Sequence, residues 1–272
     1  MNDLAFADDI AELENDNTQA QKQLDELRHH ASTVGLEIND QKTEQMRQNI
    51  PDTGTPPPQL CIDGQPIKIV DEFKYLGSYL GSTENDINNR IALAWAAFTR
   101  LKSILTSRSG KPAVKIKIRL FNAACVSILL YACETWVLTA QLTNKLNIFA
   151  RKCYRIMLGQ RQSETHMTNA QLYKEVNARP ISDIIRERQL QFTGHCLRMP
   201  NDEPANSYAL YTSNIKSNLR GRGRKTYLDQ VSEYLGIGND GEKNSAANEI
   251  VKHAKDKSIW KKLVAAPKQP DR

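Results

Sequence analysis

Two adjacent carboxylates, Asp8 and Asp9, end the short apolar run Asp3-Leu4-Ala5-Phe6-Ala7 near the start of the chain. Paired carboxylates at a strand tip offer the hard oxygen ligands that Mg²⁺ prefers, one or two carboxylates completed by substrate phosphates and water. Two such metals can clamp the attacking and leaving oxygens of a phosphoryl transfer. The same pair also serves as a solvated turn or as a helix N-cap, so the motif alone does not decide its own chemistry.

The elements that must position the pair come next. Leu4 and Phe6 alternate with Ala5 and Ala7, which predicts a strand with a hairpin turn at Asp8-Asp9. Leu24, Leu27, Ala31 and Val34 share one helical face, with a cap among Asp16, Asn17 and Thr18 and a stop at Gly35. Leu36-Glu37-Ile38 alternates like a short strand and Asn39-Asp40 like a turn. After the Pro-rich loop 51–58, alternating apolar residues flank Asp63-Gly64, a strong hairpin signal. Phe73-Lys74-Tyr75-Leu76-Gly77 then leads a second strand pair or tight turn.

From about residue 84 the pattern turns helical. One helix carries Ile87, Ile91, Ala94, Trp95, Phe98, Leu101 and Leu105, capped by Asn85 or Asp86. A long apolar helix is expected over about 114–136. Another, over about 141–158, points Leu142, Leu146, Phe149, Cys153 and Ile156 inward and Lys145, Arg151, Lys152 and Arg155 largely outward. Short helices are expected at 168–176 and 227–235, a basic amphipathic one at 181–197 with Arg186, Arg188 and Arg198 nearby, and a last one at 248–264. The fold class is therefore α+β: a small antiparallel sheet region over about 1–82, a helical region over 83–200, and a basic linker with C-terminal helices over 201–272.

Charge divides unevenly. Residues 1–64 hold 4 Lys/Arg against 13 Asp/Glu, a net of −9, and residues 65–272 hold 33 against 18, a net of +15. An acidic start beside a basic body suits a polyanion-binding surface. Arg220, Arg222, Arg224 and Lys225 are interleaved with glycines, which keeps their cationic groups extended enough to follow a phosphate backbone; a solvated basic linker has the same composition. The five cysteines, at 61, 125, 133, 153 and 196, have no Cys-x-x-Cys spacing and lie partly in apolar runs. This pattern predicts reduced, buried thiols and an intracellular protein, nucleus or cytoplasm unresolved, with no membrane partner. His195 beside Cys196 reads as packing, because helical neighbours point about 100° apart. His29-His30 reads as solvated, and Trp95, Trp136 and Trp260 as core.

Taken in order, Phe6-Ala7-Asp8-Asp9, Gly35-Leu36-Glu37-Ile38-Asn39 with Lys42-Thr43, and Phe73-Lys74-Tyr75-Leu76-Gly77 resemble the second half of a reverse transcriptase of the non-LTR retrotransposon type. Three downstream stretches resemble the C-terminal part of such polyproteins: Leu130-Tyr131-Ala132-Cys133-Glu134-Thr135-Trp136, Gly194-His195-Cys196-Leu197-Arg198-Met199, and Arg220 through Asp229. The resemblance covers nearly the whole chain. It implies that Asp8 binds metal with Asp9 in a lesser role, and that Lys42 assists pyrophosphate protonation. It further implies that Tyr75, Leu76 and Gly77 grip the primer, that Mg²⁺ is the cofactor, and that an RNA template and a DNA primer are the partners. The family's other essential carboxylate and its nucleotide-binding fingers precede the Asp-Asp motif. The sequence starts at Met1, two residues before Asp3. The expectation is therefore a fragment with little polymerase activity alone and weak Mg²⁺ binding, completed by another polypeptide or acting as a basic RNA- or DNA-binding module.

Overall fold

The computed structural model describes residues 3–48, 58–107, 113–212, 225–238 and 243–265. The chain divides into two compact units, Met1–Ser82 and Thr83–Arg272.

The first unit begins with β1 (Asp3–Phe6) and β2 (Asp9–Glu12), an antiparallel hairpin with Phe6 opposite Asp9. Helix α1 (Asn17–Thr33) is capped by the Asp16 carboxylate, which accepts from the Gln19 N–H at 3.3 Å. It stops where Gly35 turns left-handed at φ 77° and the Leu36 N–H returns to the Ala31 carbonyl. Strand β3 (Glu44–Met46) follows, then β4 (Cys61–Ile62) and β5 (Gln65–Pro66) around the Asp63-Gly64 turn. Strand β6 (Lys68–Val70) pairs in parallel with β3, with Lys68 on Glu44 at 2.7 Å. Strands β7 (Phe73–Tyr75) and β8 (Ser78–Leu80) form the last hairpin.

Among the described residues the strands form four two-stranded pairs, three antiparallel and one parallel. The strand expected at Leu36–Ile38 is irregular instead, with Leu36 65% exposed. Ile38 reaches the small core of Leu24, Ile62 and Ile67 by its side chain, and the strand of this region is β3, whose backbone finds a partner in β6. The Gln21 amide ties α1 to β4, accepting from the Cys61 N–H and donating to its carbonyl, both at 2.8 Å.

Among its described residues the second unit is helical apart from its loops. It runs α2 (Thr83–Arg100), α3 (Lys102–Leu105), α4 (Val114–Phe121), a π-helical turn at Asn122–Val126, and α5 (Ser127–Leu129). A 3₁₀ turn at Cys133–Thr135 precedes α6 (Ala140–Leu158), α7 (Gln162–Thr165), α8 (Asn169–Val176) and α9 (Ile181–Cys196). Last come α10 (Pro204–Tyr208), α11 (Tyr227–Leu235), α12 (Lys243–Lys255) and α13 (Lys257–Ala265). The long helix expected to reach Trp136 ends instead after Leu129, because Ala132 turns left-handed at φ 60°. The single C-terminal helix expected at 248–264 is two helices. Asp256 breaks it, its carboxylate accepting from the N–H groups of Ser258 at 2.8 Å and Ile259 at 3.1 Å at the start of α13.

Two apolar cores fill this unit. In the larger, Trp95 packs edge-on to Phe98 and Phe149, and Phe121 lies among Phe98, Phe149 and Tyr154. The second gathers Leu190, Leu197, Leu228, Val231, Ile250, Ala254 and Trp260. Helix α9 belongs to both, giving Ile181 and Ile185 to the first and Leu190 to the second. Ile156, expected inward on α6, is 38% exposed, and Met157 takes the buried position.

Candidate nucleic-acid interface

The Asp8-Asp9 pair stands on the β1–β2 turn, as the alternation predicts. Ala7 takes a left-handed conformation at φ 54°, and Asp9 opens β2. Both aspartates are exposed. Glu12 has its carboxyl pushed up by burial first, then by Asp3 directly opposite and by Glu14.

The Phe73–Tyr75 strand comes to this hairpin. The Tyr75 hydroxyl donates to the Leu4 carbonyl of β1 at 3.2 Å, fastening β7 to the hairpin whose turn carries the aspartates. Leu76 and Gly77 form the turn, at φ 48° and 83°. Phe73 and Tyr75, two residues apart on one face of β7, stack at 6.4 Å, and the Lys74 ammonium lies 5.9 Å from the Tyr79 ring. Lys42 sits exposed in the Asn39 turn, its backbone N–H donating to the Asn39 side chain at 3.1 Å.

No three His, Cys, Asp or Glu side chains come together as a metal-binding group among the described residues. Two exposed neighbouring carboxylates do not make the donor set of a two-metal centre by themselves. Arg220, Arg222 and Arg224 lie outside the described residues. Lys225 is described, and its ammonium pairs with Glu233 at 2.6 Å.

Two of the downstream motifs are tied into the helical unit by their own contacts. Around Leu130–Trp136 the chain reverses, and distant side chains hold the turn. The Trp136 indole donates to the Asp86 carboxylate at 2.8 Å, and Asp86 pairs with Arg90 at 3.7 Å, all three side chains buried. Arg90 in turn lies 4.3 Å from the Tyr131 ring. The Gln189 amide donates to the carbonyls of Cys133 and Trp136 at 2.7 and 2.8 Å, while its oxygen accepts from Gln230 at 2.7 Å. Arg188 donates to the Leu130 carbonyl at 3.2 Å and pairs with Glu134 at 3.8 Å. With Thr135, Gln191 and Phe192 it lines an open depression of about 410 Å³.

In the Gly194–Met199 motif, Gly194 gives the Trp260 indole its place against α9, where the indole N–H donates to the Leu190 carbonyl at 2.8 Å. His195, expected to pack, is exposed, and its neighbour Cys196 is buried. Arg198 donates to the Ala254 carbonyl at 3.0 Å. Arg186, expected on the basic face of its helix, is buried. It donates to the carbonyls of Tyr234, Leu263 and Val264, and burial pulls its guanidinium below its ordinary range. Sequence reasoning missed the Asp86–Trp136 and Gln189–Gln230 contacts. Asp86 and Arg90, four residues apart, were the available signal; the glutamines carry none, because their partners are distant backbone.

A transposon-derived protein of Caenorhabditis elegans is 31% identical to this chain over 211 aligned residues, spanning 73% of this chain and 72% of the relative. The chain belongs to a family of transposon-derived proteins. No family model matches it, and no solved structure does. Among the described residues, no helix of this transposon-derived chain is long and apolar enough to cross a membrane.

Proposed function

We propose that this transposon-derived chain carries the second half of a non-LTR reverse-transcriptase palm followed by a helical nucleic-acid-binding region, and that it binds template–primer duplex without polymerising on its own. The observation that carries the reading is the Tyr75–Leu4 hydrogen bond. It draws the Phe73-Lys74-Tyr75-Leu76-Gly77 block against the hairpin bearing Asp8 and Asp9, and these are the two blocks whose order in the sequence carries the resemblance. A primer-gripping hairpin has to stand beside the metal-binding hairpin, since both act on the same primer end.

The same geometry argues against autonomous catalysis. Nucleotidyl transfer needs metals held by several carboxylates at once, and Asp8 and Asp9 belong to no larger metal-binding group among the described residues. Sequence-independent affinity for a duplex needs only cationic groups along a surface, which the net charge of the basic body supplies.

The test pairs two assays on the purified protein. Primer extension on an RNA template with Mg²⁺ or Mn²⁺ should show no incorporation above background. Binding to an RNA–DNA duplex should weaken steeply with salt and be unchanged by Asp8→Ala. Robust incorporation lost on Asp8→Ala would overturn the non-catalytic part, and affinity indifferent to salt would overturn the binding part.

A further inference from the structure

Five exposed or half-exposed cations of the helical unit pair with a carboxylate: Lys145 with Glu84, Arg161 with Glu164, Arg179 with Glu187, Arg188 with Glu134 and Lys225 with Glu233. Two arginines on α6 differ. Arg151 donates to the amide oxygen of Asn144 at 3.2 Å, and Arg155 to that of Asn169, at the first residue of α8, at 3.1 Å. Both partners are neutral, so neither amide cancels the charge of the guanidinium it holds. Each guanidinium has five N–H donors, of which an amide oxygen occupies few. Both side chains are half-buried, so they are held in place rather than swept through solvent, and Lys152 stands exposed between them in sequence.

The surroundings favour an anion. The Tyr173 phenol of α8 is pushed up chiefly by its burial, and the rise is opposed first by hydrogen bonding to Arg151, then by the charges of Arg151 and Arg155, which places both cations close to the same phenol. Asp183, at the start of α9, is the carboxylate that also acts on Tyr173. It is one negative charge against the two positive charges of Arg151 and Arg155. Positions four residues apart on a helix have Cβ atoms about 6 Å apart, so the two guanidinium forks can grip one phosphate or its neighbour on the same strand. Planar, charge-bearing forks on neutral amides are suited to phosphate oxygens.

We infer that Arg151 and Arg155, held by Asn144 and Asn169 on the α6–α8 face, form a binding site for the phosphodiester backbone of a nucleic-acid duplex. The site rests on the binding part of the proposed function and gives it a location. It contacts phosphates and no base edge, so it carries affinity without sequence preference.

The experiment measures binding of a fluorescein-labelled RNA–DNA duplex to the whole chain by anisotropy over a range of salt concentrations. The wild type is compared with Arg151→Gln/Arg155→Gln, Arg151→Lys/Arg155→Lys, Lys145→Gln and Lys261→Gln/Lys262→Gln, each checked for an unchanged circular dichroism melt. The double Gln variant should flatten the slope of log affinity against log salt by about 1–2, since each phosphate that is no longer neutralised removes roughly 0.9 from it. The Lys pair should keep the slope, as should Lys145→Gln. A steep wild-type slope that the double Gln variant retains would overturn the site while leaving the proposed function standing. A slope abolished by Lys261→Gln/Lys262→Gln instead would move the binding surface to the exposed lysines of α13 and overturn the site. No salt-dependent binding by the wild type would overturn both. If the double Gln variant melts early, the Lys variant decides: retained fold with a changed slope counts against the site.

Discussion

The Trp136 indole N–H meets the Asp86 carboxylate at 2.8 Å, with both side chains buried and Arg90 also paired to the carboxylate. A buried carboxylate between two donors depends on both, and each donor depends on it. Asp86→Ala should therefore destabilise the helical unit by about 3–5 kcal/mol, because it removes the buried carboxylate that the Arg90 guanidinium and the Trp136 indole N–H share. Trp136→Phe removes a neutral donor and should cost less. Equilibrium denaturation with guanidinium chloride, followed by far-UV circular dichroism, measures both; destabilisation by Asp86→Ala of less than about 1 kcal/mol, the range of an exposed pair, would contradict the arrangement.

Gln189 and Gln230 are fully buried and share one network with the Trp136 carbonyl, which accepts from both. Replacing either with Ala leaves polar groups of the 133–138 segment without partners, at about 1–3 kcal/mol each. The double variant should cost less than the two single effects added, since the same carbonyl is orphaned once. Strict additivity in a double-mutant cycle would show that the two amides act separately.

Gly194 is a matter of space. A Cβ there would run into the Trp260 ring rather than into a movable side-chain tip. Gly194→Ala should destabilise the packing of α13 on α9 by about 1–3 kcal/mol, the usual range for overpacking. Trp260→Leu in the same chain should recover part of that stability. The readout is protease cutting in the 243–265 region, faster in Gly194→Ala and slowed again by the second change.

Four cysteines are buried, and burial pushes the Cys125 thiol up to about 11 and the Cys133 thiol up to about 12, the latter with help from Glu134. Unfolded thiols ionise near pH 9 while these remain protonated in the folded chain, so unfolding releases protons above pH 9. Stability from these groups is full below pH 9 and falls as pH rises from about 9 toward 12. At pH 8 a thiol reagent should label Cys61 quickly and the remaining four cysteines only in denaturant. Rapid labelling of all five in the folded chain would contradict the burial.

Local chemistry made much of this fold legible. The turns at Asp8, Asp63-Gly64 and Leu76-Gly77 fall where polar or glycine residues interrupt alternation. The cap on α1 and the periodicity of α6 follow from residues within one or two turns of each other. Features set by distant partners were not legible. Glu44–Met46 is a strand because β6 lies alongside it, whereas Leu36–Ile38 alternates better and stays irregular. The break at Ala132 has no Gly or Pro to announce it, and depends on the distant side chains that hold the reversed segment. Arg186 and Arg198 look like members of a basic face because their targets, backbone carbonyls of α11, α12 and α13, have no signature of their own. In the candidate site, the Asp-Asp turn was readable, and the approach of Tyr75 to Leu4 across 71 residues was not.

Arg186 also sets a timetable. During synthesis α9 emerges well ahead of the carbonyls its guanidinium bonds, which lie 48 residues further on at Tyr234 and 77 and 78 residues further on at Leu263 and Val264. Until the ribosome has passed Val264, the carbonyls of Leu263 and Val264 are not there for that charge to bond. The half of α9 facing the second core therefore cannot close early, and the helical unit reaches its final packing only as its last helix arrives.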